Sequence, residues 1–99
     1  MRVSWHHNYD DEPVTIYSEI EGEKETRKVE IYRDGHMDLA GPGLETGSTF
    51  LSVTPMPSVE EIAAQPEFSP TIVDEDEFER VWWAARREHG IDKAGEEPT

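Results

Sequence analysis

Apolar and polar positions alternate through the first half of the chain and then change period. From Arg2 to His7, the positions Val3, Trp5 and His7 alternate with Arg2, Ser4 and His6. That period of two belongs to a strand with one buried face. Asn8 to Pro13 is polar and ends on proline, which reads as a loop. Val14 to Glu21 alternates again, with Val14, Ile16 and Ile20 on one face, and Thr26 to Arg33 follows with Val29 and Ile31 inward. A turn over Gly22 to Glu25 pairs Glu21 with Thr26. It sets Ile16 opposite Ile31, Ser18 opposite Val29, and Glu19 opposite Lys28 as a favourable cross-strand charge pair. At Asp34-Gly35 a two-residue loop would set Ile31 against Asp38 and mix the faces. A loop over Arg33 to Gly35, with Gly35 left-handed as a bulge, sets Ile31 against Met37 and Val29 against Leu39, and this apolar match selects it. Tyr32 and His36 then meet on the outer face. Gly41 to Ser48 reads as a loop, and Thr49 to Thr54 as the last strand.

After Pro55 and Pro57 the period becomes helical. Ser58 and Glu61 form a capping box, in which the Ser58 hydroxyl accepts from the Glu61 amide and the Glu61 carboxylate reaches back. Ile62 to Ala64 continue a short helix that stops before Pro66. Asp74 caps a longer helix, Val73 staples onto Phe78, and the carboxylates of its first turn favour the positive end of the helix dipole. Phe78, Val81, Trp82, Ala85 and His89 fall on one buried stripe. Gly90 closes the helix in a left-handed cap with Ile91 folding back. The pattern predicts an α+β fold: a four- to five-stranded antiparallel β-meander with one short and one longer C-terminal helix packed on one face. It forms a single domain over residues 1–91, with 92–99 as a flexible acidic tail.

Charge changes the picture. The net charge is -14, and between Asp34 and Glu79 stand eleven carboxylates and no Lys or Arg. A field of one sign destabilises the compact state by self-repulsion and is useful mainly against a basic partner. Glu61 and Asp74 have work as caps, and Asp76 has Arg80 one turn away. Set against a merely solvated acidic face, the sharper reading is a docking surface formed by Glu67, Glu75, Asp76, Glu77 and Glu79. Trp83 lies about 140° around the helix from Phe78 at 100° per residue, so it leans outward as the apolar anchor, with Arg80 and Arg87 one turn either side.

The same charge argues against nucleic acid and anionic membranes as partners. No apolar run reaches the ~20 residues of a membrane span, and Met1 to His7 lack the apolar stretch of a signal peptide, so the expected location is cytoplasmic. There is no cysteine. His6 and His7 point to opposite faces of a strand and do not share a metal. With no GxGxxG, Walker loop or nucleophile elbow, no cofactor and no enzymatic activity are expected.

Several segments carry a resemblance. They are Tyr17-Ser18-Glu19-Ile20, Arg27 to Gly35, Glu45-Thr46-Gly47, Glu61 to Phe68, and Phe78-Glu79-Arg80-Val81-Trp82. Together they resemble a family of small acidic bacterial proteins, frequent in actinobacteria, classed as a domain of unknown function. The resemblance implies one compact domain and lends no catalytic residues. Small acidic proteins of that kind are often immunity proteins or other inhibitors. The expectation is therefore a monomer or small homo-oligomer that binds a basic bacterial protein such as a nuclease toxin. The alternative is a phage-borne DNA mimic acting on a defence or transcription protein.

Overall fold

The computed structural model describes residues 1–91; the tail assigned to 92–99 lies outside them. Six strands follow in chain order: β1 Arg2–Trp5, β2 Thr15–Glu21, β3 Lys24–Ile31, β4 Met37–Gly41, β5 Leu44–Glu45 and β6 Phe68–Thr71. The helices are α1 Val59–Ala63 and α2 Glu75–Glu88. The strands form one antiparallel sheet in the order β5-β4-β3-β2-β1-β6. The α+β class therefore holds, with one strand more than the sequence pattern gave.

The β3–β4 hairpin has the register that apolar matching selects. Ile31 lies opposite Met37 and Val29 opposite Leu39. Gly35 has φ +94°, a left-handed value that strains any side chain with a Cβ. Tyr32 and His36 stack with ring centroids 4.1 Å apart.

The β2–β3 register differs from the expected one by a residue. Tyr17, not Ser18, lies opposite Val29, Ile16 lies opposite Glu30, and Glu19 lies opposite Arg27. The turn is the two residues Gly22 and Glu23, and a bulge beyond Glu19 absorbs Thr26. A one-residue slip reverses every side chain. Tyr17, Val29 and Leu39 thus share one face, while Ile16 and Ser18 turn to the other.

Helix α2 packs over β2, β3 and β4, and its Phe78, Trp82 and Ala85 join Tyr17, Val29 and Leu39 in the core. A Cβ on Gly41 would stand 2.8 Å from the Trp82 ring, so a residue without one lets the indole reach the sheet. Asp74 caps the helix by accepting from the Glu77 amide, and Val73 packs onto the core at its start. At the other end Gly90 N–H donates to Arg87 O and Ile91 N–H to Arg86 O, the paired bonds of a left-handed glycine cap. His89 is exposed, so the buried stripe ends one turn earlier than its spacing predicts.

The two helices do not share a face. Helix α1 has both bonds of its capping box and contacts β6. Its Ile62 lines a cleft with Val3, Ile16 and Ser18, on the face opposite α2. Thr49 to Thr54 is not a strand; it belongs to an irregular segment between β5 and α1. Conversely, Leu44–Glu45 pairs as a short strand within the expected Gly41–Ser48 loop.

Candidate interaction surface

Arg27 is the hub of the α2 face. Its Cζ stands 4.9 Å from the Phe78 ring centroid and 5.0 Å from that of Trp82. Its Nε donates to Glu19 Oε1 at 2.7 Å, one Nη to Glu19 Oε2 at 2.6 Å, and its guanidinium also pairs with Glu79. Hydrogen bonds to Glu19, above all, hold the Arg27 pKa above its ordinary value despite partial burial. The reciprocal bond from Arg27 holds Glu19 below the usual carboxylate range. On β1, Arg2 donates to Glu77 at 3.0 Å, and the Tyr17 hydroxyl donates to the same carboxylate oxygen at 3.0 Å. Burial, chiefly, raises the Tyr17 pKa.

These contacts divide the acids expected on the docking surface. Glu77 and Glu79 fasten α2 to β1, β2 and β3 and are half-buried. Glu75 and Asp76 are exposed on the first turn of α2. The Asp76–Arg80 ion pair does not form, and both residues are exposed. Glu67 is exposed just before β6, at the opposite end of that strand from the α2 cap, so it does not join the others.

Trp83 departs from the expected outward anchor. It is half-buried and packs against the core, and Arg86 stacks on it with Cζ 5.0 Å from the ring. The stacking cation comes three residues on rather than from Arg80 or Arg87. Like Ile31, Met37 and Leu44, Trp83 packs at the margin of the core around Tyr17 and Trp82 rather than standing in solvent.

The apolar residues that do stand in solvent are elsewhere. Val53 is 94% exposed, Ile72 70%, and Tyr9 and Phe50 62% each. Phe50 and Val53 lie in the segment from Thr49 to Thr54 that the sequence reads as a last strand. The signal that could have found them was the punctuation by Gly43, Gly47, Pro55 and Pro57, which leaves that segment little room for a strand.

At the β4 edge, Asp38 is buried, accepts from Thr46 Oγ1 at 2.7 Å, and lies 3.3 Å from His89 Nε2 and 3.8 Å from His36 Nε2. His89 also bonds Met37 O at 2.6 Å, and Glu88 accepts from the Met37 amide at 2.8 Å. These side chains satisfy the part of the β4 edge that short β5 leaves uncovered, which protects it from pairing with another chain. Among the described residues, no three His, Asp or Glu side chains converge to hold a metal ion, and no helix is long and apolar enough to cross a membrane.

Fold and surface together define an acidic antiparallel α+β domain that turns several of its cations inward. The chain belongs to the family described as Domain of unknown function (DUF6881), whose model matches residues 1–87. No curated protein and no solved structure matches it.

Proposed function

We propose that this protein is a non-enzymatic inhibitor that docks stoichiometrically, inside the cell, onto a basic bacterial protein such as a nuclease toxin. The observation that supports this reading is how few cations the surface carries beside its carboxylates. Arg27 is held between two carboxylates and two rings, Lys28 pairs with the buried Glu25 at 3.2 Å, and Arg86 is buried. Glu45, Glu60, Glu67, Glu75 and Asp76 remain outside. Glu19, Glu79 and Glu25 are drawn in as partners of Arg27 and Lys28, and the charge left outside is still predominantly negative. Such a field steers a basic partner and speeds its encounter. Carboxylates on that surface would occupy the positions where a nuclease holds phosphates.

Association with a basic nuclease encoded beside this gene tests the reading. The association rate should fall steeply as salt rises, while dissociation changes little. Neutralising the exposed pair, Glu75→Gln with Asp76→Asn, should slow association while lowering the melting temperature only slightly, by the lost helix-dipole interaction. Binding that ignores both salt and these substitutions would overturn the proposal.

A further inference from the structure

Residues 46–58, between β5 and α1, contain no helix or strand, yet their backbone is pinned to the sheet. Thr49 Oγ1 donates to Glu30 Oε1 at 2.6 Å, and Phe50 O accepts from Lys28 Nζ at 3.0 Å. The Ser52 amide donates to Glu25 Oε1 at 2.8 Å, and the Met56 amide to Glu23 O at 2.7 Å. Glu25 is itself fixed: its side chain is 1% exposed and accepts from Ser18 Oγ at 2.7 Å. A loop tied down in this way is preorganised, so ordering it on binding costs little.

What the pinned loop presents is apolar. Val53 and Phe50 are the two exposed large apolar side chains it carries. Isolated apolar residues on a surface are ordinary; here Val53 stands on a fixed backbone at a groove of about 660 Å³ that it helps to line. Leu51, Val53 and Pro55 line it with Glu23 and Glu45, and Lys24 is the only cation on its lining. An apolar floor with a carboxylate rim has the layout of an interface core and its polar border. The first turn of α2 lacks that layout, because Glu77 and Glu79 are engaged in ion pairs and Trp83 lies under Arg86.

We propose that the Leu51–Pro55 groove is the docking site for a basic protein segment in which an apolar side chain is flanked by Lys or Arg. The apolar side chain lies on Leu51, Val53 and Pro55, and its flanking cations reach Glu23 and Glu45. Charge selects this occupant: an anionic lipid surface, a nucleic acid or a second copy of this chain would meet carboxylates with like charge. The inference rests on the proposed function and locates its contact surface.

Amide chemical-shift mapping with two synthetic peptides of equal length tests it, one of lysine alone and one alternating lysine with leucine. At physiological ionic strength the alternating peptide should bind about tenfold tighter and shift the amides of Glu45 and of Phe50 to Thr54. The double variant Leu51→Ser with Val53→Ser should abolish that preference while still binding the lysine peptide. Glu75→Gln with Asp76→Asn should leave the preference intact. Equal affinities, or shifts centred on the first turn of α2, would overturn this site and leave the acidic-binding reading standing. If neither peptide binds, or salt has no effect on either, both the site and the proposed function fall.

Discussion

Across Tyr17, Val29 and Leu39 the sheet is covered by a regular helix; across Ser18, Lys28 and Glu30, their neighbours in the same strands, it is covered by an irregular loop. On the helix side the centre is apolar and the charges stand at the rim, where Arg27 meets Glu19 and Glu79 and Arg2 meets Glu77. On the loop side the order is reversed. Glu25 is buried near the middle, and Phe50 and Val53 are outside. The cause is backbone hydrogen bonding. A helix satisfies its own amides and carbonyls and can lay apolar side chains on a sheet. A loop leaves those groups open, and burying them without partners costs free energy. The strand beneath must then supply partners, which is what Glu25 does for the Ser52 amide and Lys28 for the Phe50 carbonyl.

The largest effects should separate the faces by chemistry. On the helix side, Trp82→Ala removes a 5%-exposed ring and should cost about 3–5 kcal/mol in denaturant melts. For a domain of this size, that is enough to unfold much of the population. On the loop side, Glu25→Ala should cost about 3 kcal/mol, because it leaves Lys28 without its buried partner. The double variant Glu25→Leu with Lys28→Met should recover part of that loss, since it removes both charges together. Trp82→Ala has no such compensating partner. If the double variant were no more stable than Glu25→Ala alone, the loop would not be held by its charged network.

This contrast also explains what was legible in the sequence. Ser58–Glu61, Asp74 and Gly90 are caps whose partners lie within a few residues, and each forms as the spacing predicts. The β3–β4 register was legible because every inward position there is apolar. The β2–β3 register was not: Tyr17 and Ile16 both suit an inward position, and the bulge at Thr26 decides between them. Strand β6 was hidden because Pro70 lies within it, which an edge strand tolerates. For the candidate surface, the excess of carboxylates was legible but their partners were not. Arg27 and Glu79 are 52 residues apart, as only the folded sheet and helix can arrange. With these ion pairs in place, reversing Glu77 and Glu79 to Lys should destabilise the fold.

A smaller effect checks whether α2 depends on its local signals or on the sheet. Asp74→Ala removes the acceptor of the Glu77 amide and should cost about 1 kcal/mol. Asp76→Asn, two residues on and exposed, should cost only about 0.3 kcal/mol through the helix dipole. Equal losses in the two variants would mean that charge at the helix start, rather than the cap itself, holds this end.

The smallest expected effect concerns the rim of the helix face. Glu19 has its pKa depressed below the ordinary value of 4.5, chiefly by the hydrogen bond from Arg27. A carboxylate with a depressed folded pKa contributes stability that is fully present above its unfolded pKa and is lost as pH falls through the folded one. Glu19→Gln keeps the shape and removes the charge, and the side chain is 36% exposed, so solvent screens the pair. At neutral pH the variant should be less stable by about 0.5 kcal/mol. Below 4.5 that difference should shrink toward zero. Repulsion among the remaining carboxylates also changes with pH, but it changes alike in both proteins and cancels in the comparison. Denaturant melts of the pair across that range give the difference directly. A gap that stays constant or widens as pH falls would mean that the Glu19 charge does not stabilise the rim, and that the helix face is held by its apolar centre with Glu77 and Glu79.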